Sequence, residues 1–256
     1  MIKSELKIRP PITQTSAIKR TWLWVELFLI YGFVPGFIAG LVRPAKGNVV
    51  LDTMGISWFR FETGLPRGLF IFPALLLTFL IMFLMLYRDP TFDNRRFWNI
   101  EGFRTAVPKI IIGITIAGPL ILFASWILAR HTTLLPAQGF LYLPREQPVL
   151  MLVIVLFYPW ISAYPQEMTH RAFLFHRYQP IIGTGFIAMS INIVAFAWLH
   201  APMWNLIAIL MTIPAGALFA WTYRRSNSVL AAGFEHAIYG IWVFFTGLGY
   251  FVYAGR

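Results

Sequence analysis

Apolar residues run through most of the chain in long blocks that short polar connections separate. Several of these blocks approach the ~20 residues that an α-helix needs to cross a bilayer. A block that is apolar on all sides is typical of a helix surrounded by lipid or by other helices. The pattern predicts membrane spans near 20–42, 67–87, 108–129, 149–164, 181–200, 204–223 and 228–253. We therefore predict an all-α fold, a polytopic membrane helical bundle.

One polar stretch interrupts this pattern at residues 165–178, directly after the fourth block. It either continues the fourth span past a kink at Pro165 or forms a helix of its own. Counted separately, it gives a bundle of about eight helices. A second exception is the segment 43–66, where brief strand-like alternation occurs within what we predict to be an external loop.

The composition supports the membrane assignment. Hydrophobic residues make up 58% of the 256 residues and charged residues only 12%, whereas soluble globular proteins carry about 25% charged residues. The mean hydropathy is +0.68. The chain has no cysteine, which excludes disulfides, thiolate nucleophiles and thiolate metal ligands.

The net charge of +11 comes from basic residues that are spread over the tail and the loops. Basic residues in such positions fix the orientation of membrane helices and contact anionic lipid headgroups. They form no basic patch that would bind a nucleic acid. The rule that cytoplasmic loops are positive puts the N-terminus in the cytoplasm. We divide the chain into a basic cytoplasmic tail (1–19), N-terminal transmembrane helices and loops (20–148) and a C-terminal core of helices (149–256).

Ionisable residues in the apolar part of the C-terminal half are the candidates for chemistry. A charge at the centre of a bilayer costs roughly 2.5–3.5 kcal/mol on insertion scales, so such residues are expected to pair and to be functional. Glu167 and Arg171 are four residues apart and share a helix face. Asn192, Phe196 and His200 follow one another at intervals of four residues and so share one helix face, and His236 lies in the last span.

These residues leave several interpretations open. A carboxylate and two imidazoles on separate helices can activate a water molecule and stabilise an oxyanion. Glu167, His200 and His236 could also bind zinc as a His2Glu set with one open position. Alternatively, Glu167 and Arg171 form a buried ion pair that only locks two helices together. A proton pathway or transporter also suits intramembrane His and Glu, although the chain shows no paired inverted repeat of broken helices.

Three short motifs in this half of the chain resemble those of the CPBP intramembrane proteases, the group that contains the Rce1-type CAAX prenyl endopeptidase and bacteriocin-processing or self-immunity proteins. That family carries Glu-Glu-x-x-x-Arg, then Phe-x-x-x-His, then His-x-x-x-Asn on separate membrane helices. The corresponding stretches here are Gln166 to Arg171, Phe196 to His200 and His236 to Gly240. The resemblance covers roughly residues 149–253.

The resemblance implies roles for these residues. In the family, the first glutamate and the first histidine activate water, the second glutamate and the arginine support the site, and the last histidine and asparagine stabilise the oxyanion. This chain departs twice, because Gln166 replaces the first glutamate and Gly240 replaces the asparagine. The expected roles are therefore general base for Glu167 with His200, support from Arg171, and oxyanion stabilisation by His236 with Gln166.

The resulting prediction is an intramembrane endopeptidase that cleaves a membrane-embedded or lipidated peptide or protein in the lipid bilayer. The resemblance requires no cofactor, and zinc stays open as an alternative. The second hypothesis is a non-catalytic membrane binding or immunity protein of the same fold, which the departures at Gln166 and Gly240 favour.

Overall fold

The structure, a computed structural model, describes residues 16–42 and 68–252 of the chain. The loop predicted at 43–66 lies outside these residues, as does most of the basic tail. The helices, in chain order, are α1 (Ala17–Leu41), α2 (Gly68–Tyr87), α3 (Ile100–His131), α4 (Tyr142–Glu146), α5 (Pro148–Arg177), α6 (Gln179–Ile182), α7 (Phe186–Trp198), α8 (Leu206–Ser226), α9 (Val229–Thr246) and α10 (Gly249–Val252). Short 3₁₀ helices lie at Asn94–Trp98, Ala137–Gly139 and Ala201–Met203.

Within the described ranges, six helices are long and apolar enough to cross a membrane: α1, α3, α5, α7 with the 3₁₀ turn that follows it, α8 and α9. The apolar stretch of α2, Ile71–Tyr87, is shorter. The same ranges contain no strand. The predicted all-α polytopic membrane bundle is therefore confirmed.

The polar stretch 165–178 continues the fourth predicted span within a single helix, α5. Two π-helical turns, Pro159–Ala163 and Met168–Phe173, interrupt the regular α-helical geometry. Proline lacks a backbone N–H and its ring disturbs the preceding turn, which explains why the first irregular turn begins at Pro159. Pro165, where the sequence suggested a kink, lies in the regular turn between the two π-helical turns.

Neighbouring helices use backbone groups in the second π-helical turn. The Tyr31 hydroxyl of α1 donates to the Thr169 carbonyl over 2.6 Å. The Asn192 amide of α7 donates to the His170 carbonyl over 2.5 Å. Such bonds satisfy carbonyls that a regular helix would pair internally, so α1 and α7 fix the shape of α5 at the motif.

Burial changes sharply along α5. Its first part exposes apolar side chains such as Val149 (74%) and Leu156 (56%), as expected for a helix in lipid. Every residue from 162 to 174 is buried. The core around this segment contains Leu23, Leu27, Tyr31, Met82, Leu86, Phe92, Phe97, Ala195, Tyr223 and Val229. The polar chemistry of the motif is thus enclosed by protein and does not face lipid.

Two helix ends differ from the predicted spans for local reasons. The span predicted from 108 begins at Ile100, where the Asn99 side chain accepts a hydrogen bond from the Gly102 N–H over 3.0 Å and caps the helix. Helix α7 begins at Phe186 because the chain turns at Gly183, whose φ of +69° favours glycine.

The helices alternate between two ends of the bundle. At one end, Asn99 bonds the Ser226 carbonyl, His176 bonds Asp89 and Arg177 bonds Glu26. This end carries many arginines: Arg88, Arg95, Arg96, Arg104, Arg177, Arg224 and Arg225. An excess of arginine is typical of the cytoplasmic side, and the orientation stays a prediction.

Asp89, at this arginine-rich end, offers a test of stability against pH. Its carboxylate accepts hydrogen bonds from the Thr91 N–H (2.9 Å) and hydroxyl (2.6 Å), and it lies 3.0 Å from His176 Nε2. Burial opposes ionisation, but the bonds from Thr91 and His176 outweigh it and hold the pKa of Asp89 well below its usual value. The ionised group therefore stabilises the fold above about pH 4, and this contribution is lost as the pH falls through the lowered pKa.

We expect Asp89→Asn to lower the free energy of unfolding by about 1–2 kcal/mol at neutral pH and to flatten its decline in acid. Chemical unfolding in detergent micelles, followed by tryptophan fluorescence from neutral pH to below pH 4, measures both effects. Glu146→Gln is the control, since that side chain is 56% exposed and pairs with Arg145 only at 3.8 Å. An unchanged acid profile in Asp89→Asn would contradict the assignment.

Candidate functional site

Glu167 of α5 forms the centre of a fully buried charged cluster. Its Oε2 accepts a hydrogen bond from Arg171 Nε over 2.8 Å, and its Oε1 lies 2.9 Å from His236 Nδ1. Glu167 and Arg171 are 0% exposed and the His236 side chain is 6% exposed. A carboxylate only accepts hydrogen bonds, so Nδ1 of His236 carries a proton. The first and third motifs thus meet directly, and Glu167 fixes the orientation of the His236 ring.

Arg171 connects this cluster to α7. Its guanidinium donates to the Asn192 side-chain oxygen and lies over the Phe196 ring, with Cζ 4.5 Å from the ring centroid. Asn192 in turn donates to the His170 carbonyl. A buried charge needs several such partners to offset the loss of water. The arginine of the first motif and the stripe of α7 that ends at His200 therefore form one polar unit.

His200 lies at the C-terminal end of α7, in the residue before the 3₁₀ turn Ala201–Met203. Its Nδ1 is 3.0 Å from the Phe196 carbonyl. Because a carbonyl only accepts hydrogen bonds, Nδ1 carries the proton and Nε2 keeps a lone pair. The Phe196 ring centroid lies 5.3 Å from the His200 ring and 5.5 Å from the His236 ring, so both imidazoles pack edge-on against the same phenyl ring.

Gln166 and His200 line two adjoining cavities. The larger has a volume of about 340 Å³ and is also lined by His236, and the smaller has a volume of about 90 Å³. Nε2 of Gln166 donates a hydrogen bond to the Ser162 hydroxyl over 2.9 Å. The amide oxygen, Oε1, has no hydrogen-bond partner among the described residues. His200, with a lone pair on Nε2, therefore borders both cavities beside Gln166.

The five residues predicted for the site thus fall into two groups. Arg171 and His236 are each bonded to Glu167. Gln166 and His200 lie on cavity walls, and His236 belongs to both groups because its ring also lines the larger cavity. Glu167 does not line either cavity.

The zinc alternative requires Glu167, His200 and His236 to share one ion. Each Glu167 oxygen already accepts a hydrogen bond, one from Arg171 and one from His236. In the described residues, no group of three or more His, Cys, Asp or Glu side chains is arranged to hold a metal ion. The predicted His2Glu set therefore does not fit zinc in this arrangement.

Tyr158 was not predicted as part of the site. Its hydroxyl lies 3.0 Å from His236 Nε2, and it lines the larger cavity. It precedes Pro159 in an apolar span, where tyrosine is an unremarkable residue, so the sequence carried no signal for this contact. Glu235, which adjoins His236, is buried at 3% exposure, and its Oε2 has no hydrogen-bond partner within the described part of the chain.

The helical fold and this site define a polytopic membrane protein with motifs of the CAAX-protease type. Residues 146–242 match the family model described as "Type II CAAX prenyl endopeptidase Rce1-like". The resemblance predicted from the three motifs is thereby confirmed over these residues, where the chain is similar to CAAX-protease-like membrane proteins. No curated protein and no solved structure matched the chain.

Proposed function

We propose that the protein is an intramembrane endopeptidase that cleaves a membrane-embedded or lipidated peptide with a water molecule bound between Gln166 and His200. The observation that carries this proposal is the pair of groups on the cavity wall. His200 keeps the lone pair of Nε2, and Gln166, whose Oε1 has no hydrogen-bond partner among the described residues, lines the same cavity. A base and an orienting group are what water activation requires.

The proposed reaction assigns the base to His200. Nε2 of His200 accepts a proton from the water, and the water oxygen bonds to the carbonyl carbon of the peptide. When the C–N bond breaks, the amine leaves with the proton from His200. His236 lies on the same cavity and supports the side of the site where the oxyanion forms. The sequence suggested Glu167 as the base, but its full burial and its two hydrogen bonds favour a role in holding His236.

The cavity favours an apolar substrate. Apart from the polar groups already described, its wall consists mainly of aliphatic and aromatic side chains, among them Ile71, Leu75, Leu150, Ile154, Met211 and Val243. Such a wall suits an apolar side chain or a lipid chain attached to the peptide. Prenylated peptides are accordingly the first substrate class to test, in keeping with the name of the matching family. No cofactor is needed for this reaction.

The experiment uses the protein in proteoliposomes with a fluorogenic peptide that ends in a farnesylated Cys-aliphatic-aliphatic-X box, and the same peptide without farnesyl. Cleavage of either peptide by the wild-type protein is the expected result. Preference for the farnesylated form would place the lipid chain in the cavity. Binding of both peptides without cleavage of either would overturn the endopeptidase proposal.

The replacement of the first glutamate by Gln166 favours a second candidate, a membrane protein that binds such a peptide without cutting it. An amide cannot accept a proton as a carboxylate does. The variant Gln166→Glu separates the two proposals. Cleavage by this variant alone would favour the binding protein, whereas cleavage by the wild type at a comparable rate favours the enzyme.

On this proposal the protein lies in a bacterial cytoplasmic membrane with its N-terminus inside. The chain has no cysteine, so a single cysteine introduced as Ser16→Cys can be labelled without background. We expect a membrane-impermeant maleimide to label this cysteine only after the inner face of the membrane is made accessible. Labelling of the cysteine in intact cells would contradict the predicted orientation.

A further inference from the structure

The third motif lacks the side chain that the family places one turn after the histidine. Here that position is Gly240, on the same face of α9 as His236. A Cβ atom added to Gly240 would overlap the hydroxyl and the ring of Tyr158. The phenol of Tyr158 therefore fills the space that a side chain at position 240 would need.

Tyr158 is held firmly in this position. Its hydroxyl lies 3.0 Å from His236 Nε2. Its ring packs edge-on against His236 at 5.9 Å and against Phe244 at 5.6 Å between ring centroids. Because it also lines the larger cavity with Gln166 and His200, its oxygen lies at the boundary between the charged cluster and the space proposed for the substrate.

The hydrogen bonds restrict where the protons lie. Nδ1 of His236 donates to Glu167. If Nε2 also carries a proton, it donates to the Tyr158 oxygen, and the phenol O–H is free to turn into the cavity. The phenol is then a donor at the place where the family has an amide.

We propose that Tyr158 is a catalytic residue that supplies the oxyanion donor which the third motif lacks at Gly240. The proposal rests on the endopeptidase function proposed above and adds a residue to it from outside the three motifs. Removing one donor of an oxyanion hole lowers kcat by about 10²–10³-fold. The tyrosine and the glycine are complementary, because the phenol occupies its position only if residue 240 has no side chain.

The first test is Tyr158→Phe, which keeps the packing of the ring and removes the hydroxyl. We expect kcat for the farnesylated peptide to fall about 10²–10³-fold with little change in KM. Tyr142→Phe is the matched control, because Tyr142 is 42% exposed and lies outside the cavity, and it should cleave normally. A wild-type rate in Tyr158→Phe would overturn the assignment.

The second test exchanges the two side chains. Gly240→Asn alone should lose activity because it overlaps Tyr158, and Tyr158→Ala alone should lose the donor. The double variant Tyr158→Ala/Gly240→Asn restores an amide in the vacated space, and we expect it to cleave faster than either single variant. A double variant no faster than Tyr158→Ala would contradict the idea that the phenol replaces the asparagine.

A third measurement does not depend on turnover. A phosphinate analogue of the same farnesylated peptide carries an anionic oxygen like that of the tetrahedral intermediate, and calorimetry can measure its binding to the wild type and to Tyr158→Phe. We expect weaker binding of the phosphinate by the variant, with unchanged binding of the cleaved peptide product. If the wild type cleaves nothing, the endopeptidase proposal fails by itself. Equal phosphinate affinity in both proteins, or no binding by either, overturns the role of Tyr158.

Discussion

His200→Ala is expected to lower kcat for cleavage of the farnesylated peptide by about 10²–10⁴-fold, the usual contribution of a general base. The reason is local: Nδ1 of His200 is committed to the Phe196 carbonyl, so Nε2 is the atom left to accept a proton from water. The change should leave KM and the unfolding midpoint close to those of the wild type, because the ring borders a cavity. Steady-state cleavage in proteoliposomes and thermal unfolding in micelles measure the two quantities.

His131→Ala is the matched control for this variant. His131 is also a histidine at the end of a membrane helix, but it is exposed and packs edge-on against Trp126. If His131→Ala cleaves normally and His200→Ala does not, the loss of cleavage is due to the position of the His200 imidazole in the cavity. If His200→Ala cleaves at the wild-type rate, His200 is not the base, and the assignment of the reaction to this cavity fails.

The helical architecture could be predicted because lipid imposes a simple pattern on the sequence. Only long apolar segments cross the bilayer as helices, and six of the seven predicted spans correspond to helices that are long enough to do so in the described residues. The exact ends were not, since a cap such as Asn99 or a turn such as Gly183 depends on one side chain or one φ angle. The charges of Arg104 and Lys109 also concealed the early start of α3.

The site could be predicted in part. The spacing of Glu167 and Arg171 indicates their ion pair, and the motif order indicates that His236 belongs with them. Two other contacts depend on how α5 packs against α9 after the π-helical turn at Pro159. They are the hydrogen bond between His236 and Glu167 and the position of Tyr158 beside Gly240. No local pattern encodes that packing, which is why Tyr158 could be found only from the structure.

The buried ion pair of Glu167 and Arg171 leads to the largest expected effect on stability. Both side chains are 0% exposed, so removing one leaves the other charged without its partner. We expect Arg171→Met to lower the free energy of unfolding by about 3–5 kcal/mol, measured by denaturant titration in mixed micelles. Glu26→Gln is the control, because the Glu26–Arg177 pair is partly exposed and such pairs contribute only about 0–1 kcal/mol.

The double variant Glu167→Gln/Arg171→Met separates stability from function. It removes both charges while keeping similar volumes, and buried pairs replaced in this way cost far less than a single broken pair. We therefore expect it to regain much of the stability that Arg171→Met loses. Cleavage should stay low, because the carboxylate that orients His236 is gone. Recovered cleavage in the double variant would show that Glu167 and Arg171 only join α5 to its neighbours, and the support of His236 would have to come from another residue.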